Sequence, residues 1–201
     1  MIAAFVAAVA MAFPGAGFVA PASAEGAFAA FMRGGQPRVQ HGSRISRSDQ
    51  SPIPRETIRY DGPHGPNTII VSTSERRLYY TLGNGRAIKY AVGVGREGFT
   101  WAGTDRISRK AEWPGWTPPP RMIKREAAQG RILPAFMPGG PNNPLGARAL
   151  YIGGTLYRIH GTNQPSTIGQ AMSSGCIRMA NDDVIHLYDQ VNVGTRVVVV
   201  R

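Results

Sequence analysis

Tyr157-Arg158-Ile159-His160-Gly161-Thr162-Asn163, followed by Ser173-Ser174-Gly175-Cys176-Ile177-Arg178-Met179, governs how the rest of the sequence is read. Successive side chains of a β-strand point to opposite faces. In the first run Tyr157 and Ile159 therefore share one face, and Arg158 and His160 share the other. If Cys176 to Met179 is extended, Ile177 and Met179 face a core while Cys176 and Arg178 point away from it. His160, Cys176 and Arg178 then meet over one surface, because Gln164–Met172 is long enough for a loop and a short helix that bring the chain back.

These residue types suit acyl transfer. A free thiol, with a pKa of about 8.5, is mostly protonated at neutral pH. A neighbouring imidazole can take its proton and stabilise the thiolate. Gly175 lets the backbone approach a substrate, and the N–H groups of Gly175 and Cys176 are placed to hold a tetrahedral oxyanion. His160 needs an acceptor on its second ring nitrogen. No acidic partner is evident, so a backbone carbonyl, that of Gly161 for example, or a hydroxyl is expected. Taken alone, a cysteine is more often a small buried apolar residue, and a histidine an ordinary polar one. Arg178 has an equally plain alternative, an ion pair with Asp182 or Asp183. No spacing matches a metal-ligand set, and the single cysteine excludes an intrachain disulfide, a Cys-rich zinc site and an iron–sulfur cluster. Neither metal nor cofactor is expected.

Outward from this segment, strands dominate. Asn67–Thr73, Arg76–Leu82 and Arg86–Val92 read as strands, the last two joined by a turn at Gly83-Asn84-Gly85. Thr104–Glu112 is a further candidate, and Ala147–Ile152 and Leu156–His160 form a pair around Gly153-Gly154. Thr195–Val200 contains four consecutive valines, apolar towards both faces, which places it centrally in a sheet. Helices are few. Met122–Ala128 reads as short and exposed. Asn181 suits an N-cap, with Asp182 and Asp183 at the positive end of a helix running to Gln190. Val184, Leu187, Tyr188 and Val191 form its core stripe. His186 lies off that stripe and is expected to be solvated. Residues 113–146 hold eight of the sixteen prolines, the mark of a binding loop or lid, with Trp113 and Trp116 either lining a cleft or packing the loop down. Gly93-Val94-Gly95-Arg96-Glu97-Gly98 matches a dinucleotide fingerprint in form only. No helix start follows and no βαβ unit surrounds it.

Composition sets the wider frame. The chain has 201 residues, with 23 Lys+Arg against 12 Asp+Glu for a net charge of +11, and with 25 glycines and 16 prolines. That fits one loop-rich, β-rich domain with an extension. Met1–Ala24 carries no charge, begins with an apolar run and ends Ala22-Ser23-Ala24, a signal-peptidase pattern; an uncleaved anchor is the alternative. The run before Pro14 is too short to span a bilayer, so no stable membrane span is expected after cleavage. Residues 25–56 read as a flexible basic linker, and 57–201 as the folded domain. The arginines are scattered and no nucleic-acid-binding motif is present, so nucleic acid is not an expected partner. The charge of an exported protein suits anionic envelope polymers, or serves solubility.

The motifs resemble the L,D-transpeptidase catalytic domain (YkuD-type) of bacterial cell-wall enzymes. The likeness is carried by His160-Gly161-Thr162-Asn163, Ile168-Gly169, Ser173-Ser174-Gly175-Cys176-Ile177-Arg178-Met179 and Asn181-Asp182-Asp183-Val184, with His160 and Cys176 sixteen residues apart. Val92-Gly93-Val94-Gly95 resembles the family's strand and turn upstream of the site. Thr57 to Arg201 is covered. Ser174 stands where the family commonly has a histidine, and Thr100-Trp101-Ala102-Gly103 replaces its usual Thr-Pro-x-Gly turn.

The resemblance implies a mainly β, sandwich-like fold with one or two short helices and a long Pro/Gly-rich loop. It implies that Cys176 attacks a peptidoglycan tetrapeptide stem between the third-position diamino acid and the terminal D-alanine, with His160 as base. D-alanine leaves, and an amine resolves the thioester: another stem (a 3→3 cross-link), a free D-amino acid or an envelope protein. Gly175 and Gly161 would serve the oxyanion and the orientation of His160. Arg178, Ser173, Ser174 and Asn163 would contact substrate. The location implied is the periplasm or cell envelope, and carbapenems would acylate the cysteine. Two rivals stay open: an L,D-carboxypeptidase or amidase that passes the same acyl group to water, and a non-catalytic wall-binding module. A papain-like protease is disfavoured, since its cysteine precedes its histidine.

Overall fold

The computed structural model describes residues 49–96, 101–173 and 175–201. The proposed signal segment, residues 25–48 of the linker, Ser174, Thr100 and the Glu97-Gly98 end of the fingerprint lie outside the described residues. In chain order the elements are β1 (Glu56–Arg59), β2 (Thr68–Ser72), β3 (Arg77–Gly83), β4 (Arg86–Ala91), β5 (Val94–Gly95), β6 (Gly103–Glu112), α1 (Pro120–Ala127), β7 (Arg148–Ile152), β8 (Arg158–His160), β9 (Ala171–Ser173), β10 (Ile177–Arg178), α2 (Asn181–Gln190) and β11 (Arg196–Val200). A 3-10 turn at Pro165–Thr167 lies between β8 and β9.

Three of the four consecutive valines behave as their pattern predicts, and Val200, at the end of the strand, is exposed. β11 lies inside the main sheet, whose order is β1-β4-β3-β2-β11-β6-β7-β8-β10, parallel to β2 and antiparallel to β6. Val197, Val198 and Val199 are all buried. The β3–β4 hairpin turns on Asn84 and Gly85, both with positive φ, in the two-residue geometry that matches strand twist. β6 is the joint of the sheet. Its first half pairs with β11 and its second half with β7, with an irregular register between Ile107 and Arg109. The wings on either side of that joint close over one core. Ile69, Leu78, Tyr90 and Val197 come from one wing, Leu150, Ile152, Ile159 and Ile177 from the other, and Val184, Leu187 and Val191 from α2. The architecture is the mainly β, sandwich-like one expected, with two α-helices among the described residues.

α2 is fixed at both ends. At its C-terminus Lys110 donates to the carbonyls of Tyr188 and Val191 at 2.7 and 2.6 Å, with its ammonium 4.0 Å from the Tyr188 ring centroid. At its start the structure corrects the sequence reading. The N-cap is Ala180, which makes no side-chain cap, while Asn181 is the first helical residue. The Asn181 amide is used elsewhere. Its Oδ1 accepts from the Ala147 and Thr162 N–H groups at 3.0 and 3.3 Å, and its Nδ2 donates to Asp49 at 2.9 Å. His186 is likewise half-buried rather than solvated, with Nδ1 2.8 Å from the Tyr90 hydroxyl.

The end of the segment read as linker is attached to the domain. Besides the Asp49 contact, Arg55 binds Asp183 at 2.9 Å and Asp182 at 3.4 Å, and Glu56 opens β1. The Pro-rich stretch 113–146 is also fastened. Trp116 and Met137 exchange two backbone hydrogen bonds of 2.8 Å. The buried Asn143 amide donates to the carbonyls of Pro114, Met137 and Pro138. The backbone of Trp116 thus helps fasten the loop, its side chain is half-buried, and Trp113 is exposed.

Candidate active site

Two short strands form the edge that carries the site. β10 runs parallel to β8, with Ile177 opposite Ile159 and Arg178 opposite His160. Ile159 and Ile177 are buried in the core. Paired residues of neighbouring strands face the same way, so His160 and Arg178 share the opposite face, joined by Arg158 and, one step before β10, by Cys176. The edge is locked by Met179 N–H donating to the His160 carbonyl at 2.8 Å. Gly93 exchanges two 2.8 Å backbone bonds with Arg178, so the glycine-rich segment braces the site from below.

His160 is buried, and its Nδ1 donates to the Gly161 carbonyl at 2.6 Å. That bond assigns the proton to Nδ1 and leaves Nε2 as the basic nitrogen. Burial pushes the imidazole down to about 3. The backbone of Gly161 and, more weakly, of Leu145 opposes this, and the charges of Arg158 and Arg178 reinforce it. His160 is thus neutral at physiological pH. Gly161 has a second constraint: a β-carbon there would fall on Asn181 Oδ1, the atom that ties the turn after His160 to α2.

Cys176 is half-buried, its Sγ 3.8 Å from the Leu156 carbonyl. Burial pushes its thiol up. Gly175 holds φ +120°, a conformation that L side chains rarely adopt. The Ser173 hydroxyl shapes this turn. It donates to the Cys176 carbonyl at 2.6 Å and accepts from the Gly175 N–H at 3.1 Å. The Gly175 N–H, one of the two oxyanion donors expected from sequence, is therefore already engaged, and Ser173 is turned to the backbone. Asn163 also has a partner in the fold: its Nδ2 donates to the Asn142 carbonyl at 2.9 Å, joining the site to the Pro-rich loop.

Arg178 does not pair with Asp182 or Asp183, which Arg55 takes instead. Among the described residues its Nε and Nη2 are buried without a partner. Sequence reasoning placed Arg158 on the right face but gave it no role, although its Nε is also buried and unpartnered. Trp101 stacks on Tyr157 at 5.9 Å, and both line an apolar hollow with Gly175 and Ile177. Its aromatic character was the available signal.

Comparison with known proteins decides the family. The model of the L,D-transpeptidase catalytic domain, YkuD, matches residues 66–199. The chain belongs to this family. The probable L,D-transpeptidase ErfK/SrfK of Escherichia coli K12 is 41% identical over 164 residues, which is 79% of this chain and 49% of that protein. The chain spans about half the length of the first curated relatives it matches. A solved Brucella melitensis structure, described as a probable carnitine operon oxidoreductase, is 42% identical with a TM-score of 0.50, covering 75% of this chain and 96% of that one. An L,D-transpeptidase from Mycobacterium smegmatis shares the fold at a TM-score of 0.53 and 18% identity, covering 67% and 58%. The L,D-transpeptidase domain as matched contains the whole β8–β10 edge, α2 and Gly93.

Proposed function

We propose that the chain is an exported peptidoglycan L,D-transpeptidase in which Cys176 is the nucleophile and His160 its base. The observation that carries this reading is the parallel β8–β10 pairing, which sets a half-buried cysteine and a buried neutral histidine on one face, two positions apart in register. Cys176 Sγ attacks the carbonyl that joins the third residue of a tetrapeptide stem to D-alanine. The thiol proton passes to His160 Nε2 and then to the departing amine of D-alanine. The Gly161 carbonyl stabilises the imidazolium formed between these steps. An amine then attacks the thioester and restores the thiol. It is supplied by a second stem or by an envelope protein. The N–H of Cys176 is the oxyanion donor, with the Gly175 N–H released from Ser173 as the charge develops. Arg178 holds a carboxylate of the donor stem through its unpartnered nitrogens. Ser174 and Asn163 border the stem. The segment ending Ala22-Ser23-Ala24 directs the protein to the periplasm.

Muropeptide analysis tests this. Purified protein incubated with tetrapeptide stems is expected to release D-alanine and yield 3→3 dimers. Cleaved stems without dimers would assign it as a carboxypeptidase, and no turnover by folded protein would favour a wall-binding module.

A further inference from the structure

Among the described residues Arg158 is a cation with no matching anion. It lies on β8 two residues before His160 and on the same face, and the parallel register continued one pair back sets it beside Cys176. Arg158 Nη2 and Cys176 Sγ converge on one acceptor, the Leu156 carbonyl, at 3.4 and 3.8 Å. Arg158 Nε is buried without a hydrogen-bond partner. Among the described residues no carboxylate pairs with it. The Tyr151 ring centroid is 5.5 Å from its guanidinium carbon, and Arg109 already covers that ring at 3.6 Å. A part-buried guanidinium with an unused N–H is costly until an anion meets it. The anion nearest at hand is the one the site itself generates, the thiolate of Cys176.

We propose that Arg158 is a positioning residue for the nucleophile, its guanidinium serving as the counter-charge of the Cys176 thiolate. This deepens the proposed function and rests on its reading of Cys176. Every influence that opposes the burial of the thiol comes from Arg158, through its charge, its backbone N–H and its side chain. Arg178, on the same face, has no such influence on the thiol, while both arginines act on His160. His160 is pushed too low to stand as a resting imidazolium, so it cannot be the lasting partner of a thiolate. When the thiol ionises, its proton passes to His160 Nε2 while Arg158 holds the negative charge on sulfur. The two tasks that a Cys–His ion pair would combine are divided between two residues of one strand.

Because the chain has one cysteine, its thiol can be titrated directly. The full chain is alkylated with iodoacetamide across a pH series, and the rate is read by intact mass. Arg158→Gln is expected to raise the midpoint by about one unit and slow alkylation at pH 7 about tenfold, with an unchanged circular dichroism spectrum. Arg158→Lys and Arg178→Gln are expected to stay within about half a unit of wild type. A folded Arg158→Gln protein with the wild-type midpoint would overturn the proposal. If that variant does not fold, an Arg158→Lys midpoint more than about one unit above wild type would overturn it. Alkylation needs no acyl donor. An inactive enzyme with the predicted shift would therefore sink the stem-transfer reading alone, and an active one without the shift would sink only the role of Arg158.

Discussion

In the wing formed by β1, β4, β3, β2 and β11, polar groups close on one another. Thr81 Oγ1 accepts from the Thr68 N–H and donates to the Gly65 carbonyl, Lys89 pairs with Glu56, and the Tyr80 hydroxyl reaches Asn67. In the other wing the strands shorten from five residues in β7 to three in β8 and two in β10. There the unpartnered buried nitrogens collect: Arg148 Nε, Arg158 Nε, and Nε and Nη2 of Arg178. One wing is built for stability. The other, where Arg148 is paired with Glu112, keeps the guanidinium groups of Arg158 and Arg178 without a carboxylate among the described residues, a cost that a fold retains at functional sites. The hydrophobic core shared by both wings, and the Asn181 amide behind the site, hold that unsettled edge in place.

This contrast can be broken first at His160. His160→Ala is expected to lower the rate of acylation by roughly 10²-fold or more while the fold persists. It should also change the acid stability in a set direction. The folded imidazole sits at about 3 against an ordinary 6.5. Between those values the unfolded chain binds a proton that the folded chain refuses. The contribution is therefore complete above pH 6.5 and is lost as pH falls towards 3. Denaturation midpoints followed across that range should fall less steeply in His160→Ala than in wild type. Equal slopes would show that the histidine is not buried and neutral.

The stable wing should behave in the opposite way. Leu78, fully buried on β3, is expected to cost about 2–5 kcal/mol of folding stability as Leu78→Ala, read by urea denaturation. The rate at which the remaining folded protein releases D-alanine should stay within about twofold of wild type. A large loss of rate would mean that the wings are not separable.

Arg178→Lys sharpens the comparison with a smaller effect. If the unpartnered nitrogens grip a carboxylate in two-point fashion, lysine keeps the charge but not the fork. The KM for tetrapeptide stems is then expected to rise about tenfold with stability unchanged. A wild-type KM would make Arg178 a bystander.

Much of the stable wing was legible, because its signals are local and repeated. Asn84-Gly85 fixes a hairpin turn, and four valines in a row need burial on both sides. The alternation that sets Ile159 and Ile177 in the core was legible too, and with it the shared face of His160, Cys176 and Arg178. β5, β9 and β10 span only two or three residues, too few to show a period. The partners of polar side chains were hidden for a different reason. Local preference makes Asn181 a helix cap, yet its amide answers N–H groups 34 and 19 residues upstream. Arg55 reaches Asp183 across 128 residues, from a stretch whose Ser and Pro content reads as linker. His186 lies off the apolar stripe, but the Tyr90 hydroxyl draws it in. The Ser173 hydroxyl could serve substrate or backbone with equal chemical sense, and only three-dimensional structure shows which it meets.

The central claim is that Cys176 is an activated nucleophile held among basic groups. A carbapenem offers a strained carbonyl in the place of the stem amide, and acylation leaves the drug on sulfur. Intact-mass measurement of the folded protein after incubation with a carbapenem is expected to show one added drug mass on wild type and none on Cys176→Ser, whose hydroxyl is far less acidic than a thiol. With a single cysteine in the chain, no other thiol competes for the drug. An unmodified wild-type protein, or an adduct that survives in Cys176→Ser, would contradict the account.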